Sequence, residues 1–427
     1  MPAVHRRVSY KLYPSATQAA EMERVRGLHR ALYNAALQER SDAWEKSRVS
    51  IGYAAQCKSV TLIRREHPEY DGVNAQGLQV TLKRLDLAFA AFFRRVKAGD
   101  EPGYPRFKGR DRFPGWGYKH HGDGFRFEPD AGWRHGRLRL SGIGTMRARG
   151  EARTPGRVIS ADIRRKADGW HLSLVVEGEP HRERTGDLVA GLDWGVSTLA
   201  TLCHGPHAFA EVPNDRLLAQ EQDALAAAQK ALSRALRMGE TAFRPSKRTK
   251  AAARAKLLLA KRSRRLANRR KDRNHQTTAR LAAEHAVIVT EDLAIQNMTA
   301  SAKGTADKPG KNVAQKAGLN RAILDASPGG WLSLLTCKAE EAGGRVILVD
   351  PRLHKPSQTC PVSGERRKKS LAERTHALPD GVGILRGMPE VIGRDQAAAW
   401  VLWNIGQRIL GEERARVETP ETASQAA

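Results

Sequence analysis

Residues Leu188–Leu202 read LVAGLDWGVSTLATL, and the reading of this stretch decides the fold. An apolar run ends on Asp193, Gly195 breaks it, and a second run opens at Ser197. The pattern predicts a buried strand that delivers a carboxylate at its end, a tight turn, and a second strand. A carboxylate in that position, among small residues, is where a divalent cation can be held against a nucleic-acid phosphate. One carboxylate is not enough, and two later stretches offer partners. AVIVTEDL, Ala286–Leu293, ends its strand at Glu291, and GRDQAAAW, Gly393–Trp400, puts Asp395 at the start of a helix.

Taken in order, GLDWGVSTLATL, VIVTEDLAIQNM and GRDQAAAWVLWNIG resemble the three motifs of the RuvC-type nuclease core of the TnpB family and its compact type V CRISPR (Cas12-like) relatives. The resemblance implies an RNase H-like sheet flanked by helices, with Asp193, Glu291 and Asp395 holding two Mg²⁺ ions, or Mn²⁺. It also implies DNA cleavage directed by a guide RNA. Hard oxygen ligands favour these ions over zinc.

The composition points the same way. The 427 residues have room for two or three domains. Lys and Arg number 73 against 46 Asp and Glu, for a net charge of +27 and a pI near 10.4. A polyanion is the natural partner for such a surplus. The chain has no long apolar run suited to a membrane span, and MPAVHRRVSYKLYPSATQ at its start has no signal-peptide core. A soluble protein of the prokaryotic cytosol, nucleoid-associated when bound to DNA, is expected. Cys57, Cys203, Cys337 and Cys360 form no CxxC pair, which argues against a disulfide framework and an intact zinc ribbon alike.

Val4–Leu12 reads as a short strand, and Pro14-Ser15 predicts a helix over Ala16–Arg48. Leu28, Leu32 and Ala35, then Leu78, Leu82, Leu85 and Phe89, keep helical spacing, so residues 15–98 read as a helical module. From periodicity alone this is a structural bundle. By resemblance, YKLYPSATQ, LYNAALQER and LDLAFAAFFRRVKAG match the family's opening strand and recognition helices. Gly99–Asp187 is rich in Gly, Pro, Arg and aromatics, with strand-like runs at Gly136–Leu140, Val158–Arg164 and His171–Val176. A small WED-like β-barrel is expected from residues 1–14 and 99–187. In PGYPRFKGR, Tyr104 can stack on bases while Arg106, Lys108 and Arg110 track phosphates, unless the stretch is an ordinary basic loop.

Leu218, Leu225, Leu232 and Leu236 mark one helix, and a second is expected from about Lys247 to His285. Between Arg244 and Arg273 fourteen Lys and Arg stand against one acid, Asp272. Such a run is often a solvated face, but without a polyanion these charges repel one another. Lys261, Arg264, Arg265, Arg269 and Arg270 are the candidate phosphate contacts. Ser301–Lys316 reads as a mobile loop, Arg321–Ala342 as a helix, Arg345–Val349 as a strand, and Glu412–Ala427 as a disordered tail.

Lys355–Gly383 departs from the family. The layout resembles its zinc ribbon, yet Cys360 is a lone remnant, and Ser363, Leu378 and Gly381 occupy the places of the other ligands. His354 and His376 are poorly spaced to replace them. A metal-free, degenerate ribbon over residues 355–383 is expected, inserted in a nuclease domain made of residues 188–354 and 384–411. The chain as a whole is identified from its motifs as a bilobed, multidomain α+β and α/β protein that cuts double-stranded DNA beside a short flanking motif, using a guide RNA. Two other readings stay open: an RNA-guided DNA-binding protein that represses or marks its target without efficient cleavage, and a resolvase or transposase without guide RNA.

Overall fold

A computed structural model of the protein describes residues 4–150, 155–206, 208–237, 249–304, 308–370, 372–379 and 389–418. The chain divides into two compact units between Pro180 and His181.

In the first unit, β1 (Val4–Tyr13) precedes three helices, α1 (Ala16–Ser47), α2 (Tyr53–Glu66) and α3 (Ala75–Lys97). Six strands follow: β2 (Gly115–Tyr118), β3 (Phe125–Pro129), β4 (His135–Leu140), β5 (Gly144–Gly150), β6 (Arg157–Lys166) and β7 (Gly169–Gly178). Helix α1 starts at the expected place because its first turn is capped reciprocally. The Ser15 hydroxyl accepts from the Gln18 amide, and the Gln18 side chain accepts from the Ser15 amide, which satisfies donors that a helix start leaves open. Along α3, Leu78, Leu82, Leu85 and Phe89 are buried in one core with Leu32, Tyr33 and Leu37 of α1 and Val60 of α2.

The seven strands form one antiparallel sheet in the order β2-β6-β7-β1-β5-β4-β3. Its two edge strands meet through their side chains, for the Tyr118 ring of β2 lies 5.4 Å from the Phe125 ring of β3, and both strands feed the same core. The sheet therefore curls around its own apolar face. Three of its strands, β2, β3 and β5, lie outside the strand-like runs named from the sequence. Phe125 and Phe127 of β3 do alternate inward, with Arg126 outward, but the run is short and lies between glycines.

In the second unit, β8 (Leu188–Trp194), β9 (Thr198–Gly205), β10 (Ala208–Pro213), β11 (His285–Glu291) and β12 (Arg345–Val349) make a mixed sheet in the order β10-β9-β8-β11-β12. The neighbours β10, β9 and β8 are antiparallel, whereas β11 runs parallel to β8, and β12 to β11. Around this sheet stand α4 (Leu217–Arg237), α5 (Lys250–Glu284), the short α6 (Ile295–Met298), α7 (Val313–Ala326), α8 (Pro328–Glu341), the short α9 (Pro351–His354) and, after the small β13 (Thr375–Ala377) and β14 (Val391–Gly393), α10 (Arg394–Glu418).

Three expectations need correction here. The single helix expected over Arg321–Ala342 is two, α7 and α8, separated at Ser327, whose φ is 58°. Pro328 disfavours helical geometry in the residue before it, yet fits the first turn of a new helix. The expected loop Ser301–Lys316 gives its last four residues, Val313–Lys316, to α7. The expected tail is helical as far as Glu418, with Arg345 paired to Glu413; its remainder, 419–427, lies outside the described residues.

Candidate functional site

Strand β8 is the centre of the second sheet, and its neighbours bring the acids together. The register of β8 with β11 pairs Leu192 with Thr290, so Asp193 and Glu291 are the next residues along two parallel strands. The Thr290 hydroxyl donates to the Leu192 carbonyl at 2.8 Å, fastening the strand ends. Helix α10 crosses β8 at Gly191, where a Cβ would stand 2.0 Å from the Ala399 carbonyl oxygen and 2.2 Å from the Trp403 nitrogen. No side chain fits between strand and helix. Two residues on from Gly191 along the same face is Asp193, and one turn back from Ala399 is Asp395.

Burial, then the charges of Glu291 and Asp395, hold the Asp193 carboxyl well above the usual carboxylate range, with Arg394 pulling the other way. Burial raises Glu291 too; a small apolar cavity beside it is walled by Leu192, Trp194, Leu293, Pro328 and Trp331. Like charges hold one another apart. Among the described residues no three His, Cys, Asp or Glu side chains are close enough to grip an ion as they stand. The donor set is nevertheless hard oxygen throughout and short of positive charge, which is chemistry that suits Mg²⁺ or Mn²⁺.

Sequence reasoning missed Arg394. Its amide donates to the Arg374 carbonyl at 2.9 Å and its guanidinium to the Ser370 carbonyl at 3.1 Å, so the segment before β13 is pinned to the start of α10. The available clue was its position beside Asp395.

The expected phosphate contacts divide into two kinds. On α5, Lys261 and Arg265 are exposed and Arg264 is half-buried. Arg269 instead reaches Glu221 at 3.1 Å and Gln220 at 2.6 Å, and Arg270 reaches Asp325 at 2.6 Å. In the first unit Arg106 and Arg110 are exposed. The Tyr104 hydroxyl lies 3.0 Å from that of Ser41 and its ring stands edge-on to Phe89 and Phe92. The Lys108 ammonium sits over the Tyr33 ring at 5.8 Å.

In the ribbon-like segment Cys360 is buried and Ser363 exposed, and Gly381 is outside the described residues. Leu378 packs with Ile392, Ala397 and Trp400, with Val362 against them. His376 is buried with Nδ1 against the Lys369 ammonium; its Nε2 has no hydrogen-bond partner among the described residues. Burial, then the Lys369 charge, lowers the His376 pKa.

A family model described as "Probable transposase", of the IS605 OrfB type, matches residues 173–302, and one described as "Helix-turn-helix domain" matches residues 1–48. In this structure the described part of the latter range forms a strand and one continuous helix, β1 and α1. A protein of Escherichia coli K12 named "Putative RNA-guided DNA endonuclease InsQ" is 30% identical over 367 residues, 84% of each chain. A Streptomyces pristinaespiralis protein named "Putative RNA-guided DNA endonuclease" is 28% identical over 86% of this chain and 83% of its own. Among solved structures, that of a Cas12f1-sgRNA-target DNA complex covers 94% of this chain and 99% of the solved one with a TM-score of 0.55 at 10% identity, a likeness of fold. No described helix is long and apolar enough to cross a membrane. With a relative of that identity aligned along most of both chains, this protein belongs to the TnpB family, the IS605 OrfB family.

Proposed function

We propose that the protein is an RNA-guided DNA endonuclease and that its second unit is a RuvC-type, RNase H-like nuclease core. The observation that carries this reading is the convergence of Asp193, Glu291 and Asp395, from two parallel strands and a helix start, with their charges loading Asp193. Asp193, Glu291 and Asp395 would be the residues that hold Mg²⁺ or Mn²⁺ there. Such ions, when bound, generate the attacking hydroxide and neutralise the leaving oxygen of a phosphodiester. The contribution of the chain is the seat: Gly191 sets the helix-to-strand distance, the Thr290 bond fixes the strand ends, and apolar side chains wall one side of Glu291.

Target choice is delegated to pairing with a guide RNA, the protein reading a short flanking motif and the duplex backbone. The names of the two relatives support this partner set. Arg106, Lys261 and Arg265 are available for phosphates, with Tyr104, Lys108, Arg110 and Arg264 beside them; Arg269 and Arg270 serve first as struts within the second unit. The ribbon-like segment is held by packing around Leu378 rather than by zinc.

The test is cleavage of a plasmid with a guide-matched site beside a randomised flank, by RNA-loaded protein in Mg²⁺. Changing Asp193, Glu291 or Asp395 to Ala should lower cleavage by about 10³-fold or more while target binding stays. Full cleavage by Asp395→Ala would sink the assignment. Tight binding without cleavage by the wild type would leave the reading in which the protein marks its target.

A further inference from the structure

A cavity of about 570 Å³ opens on α1, in the first unit. Ala20, Glu23, Gly27 and Arg30 line it at the spacing of one helix face, and Arg110 closes it from the loop before β2. Gly27 makes the notch: a Cβ there would meet nothing within 4 Å.

The state of each charge in the lining decides what the cavity takes. Arg24 is held by Glu21 and donates to the Glu69 carbonyl at 2.8 Å. Arg26 holds Glu23 and donates to the carbonyls of Arg110 at 2.7 Å and Phe113 at 2.8 Å, which pins that loop to α1. Glu23, the one acid in the lining, has both oxygens engaged, one by Arg26 and the other by Arg165 at 3.2 Å. Among the described residues the buried Nε of Arg30 has no hydrogen-bond partner, and the Arg110 side chain is exposed. Leaving a buried guanidinium donor unmade is costly. Glu23 is thus held by Arg26 and Arg165 and is not turned to Arg30 or Arg110, which leaves their donors to a ligand that enters the cavity.

We propose that this cavity seats a phosphate of a nucleic-acid strand together with its sugar, with Arg30 and Arg110 as the donors. Two guanidinium forks with no carboxylate to answer them match phosphate oxygens in geometry and charge. The volume accommodates a nucleotide-sized group, and Gly27 leaves open the part of it that a bulky side chain would take. The choice of nucleic acid as the source of the phosphate rests on the function proposed above.

The test uses the full-length protein and three variants, Arg30→Gln, Arg110→Gln and Gly27→Leu. Filter binding is measured in two arms: guide RNA with the protein alone, and matched duplex DNA with the RNA-loaded protein. Each Arg variant should bind about tenfold more weakly in one arm, with the salt slope reduced by about 1. Gly27→Leu should lose affinity in the same arm by plugging the notch, while its Tm equals or exceeds that of the wild type, because Leu is a better helix former than Gly. Loss in the RNA arm identifies a guide phosphate, and loss in the DNA arm a target phosphate. Wild-type affinity for all three variants in both arms overturns the cavity proposal, even if the protein cleaves normally. The opposite pattern, lost affinity in the variants of a protein that never cleaves, contradicts the nuclease reading and leaves the cavity standing.

Discussion

The acids around Asp193 and the arginines at the middle of α5 are both clusters of like charge on the second unit, and the fold treats them in opposite ways. Arg269 and Arg270 are answered by Gln220, Glu221 and Asp325, so part of the basic run is neutralised from within. Among the acids Asp193 is opposed by Arg394, yet burial and the charges of Glu291 and Asp395 still hold its carboxyl well above the usual range. A count of charges in sequence would rank the basic run far above the acids as a binding feature. What a charge is free to do depends on what it has been folded against, and by that measure the acids are the region that wants a ligand.

The strongest way to break this contrast is to move the backbone that creates it. Gly191→Ala drives a methyl group into the Ala399 carbonyl, and should cost about 3 kcal/mol or more of stability, seen in urea unfolding, because strand and helix backbones must part. A variant of wild-type stability would mean that α10 does not fix Asp395 against β8. The next effect is at Arg270. Asp325 is almost fully buried and would lose its cation in Arg270→Ala, for an expected loss of about 2 kcal/mol. Lys261→Gln and Arg265→Gln, on exposed side chains of the same helix, should change stability by less than about 0.5 kcal/mol. They should instead reduce the salt slope of nucleic-acid binding by about 1 each. If Arg270→Ala changed binding but not stability, the division between strut and contact would fail. The smallest effect is expected at Cys360, where replacement by Ser should cost under about 1 kcal/mol and a chelator should leave Tm unmoved apart from any Mg²⁺ effect; one zinc per chain, lost with stability in that variant, would contradict this.

The same contrast explains what was legible in the sequence. The strands that deliver Asp193 and Glu291 are continuous apolar runs of the length a buried strand needs, and Asp395 stands at a helix start, so local pattern located all three. Gly191, which sets their spacing, looks like any strand glycine until the Ala399 carbonyl is seen above it. The partners of Arg269 and Arg270 lie in α4 and α7, far away in sequence, and a charge run does not reveal them. The cavity on α1 was half visible: Arg110 stands out in a basic aromatic loop, while Arg30 is hidden in an ordinary helical pattern. Strands β2, β3 and β5 were missed because each is short, with Gly in β2 and β5 and a charged residue between the inward positions of β3, and a sheet that curls around its core needs only two or three inward side chains per strand. The break at Ser327-Pro328 was written in the sequence and overlooked.

The central claim is that the three acids form a cation seat, and the thermal stability of the guide-free protein tests it most directly. The Asp193 carboxyl is raised in the fold, so it holds its proton more tightly folded than unfolded. Its contribution to stability is complete at low pH and is lost as pH rises from the usual carboxylate range through the raised value. Near neutral pH and above, Mg²⁺ or Mn²⁺ should therefore raise the Tm of the wild type, whereas Asp193→Asn should start higher and gain little from either ion. A wild type indifferent to both ions, or an Asp193→Asn protein that gains as much as the wild type, would contradict the account.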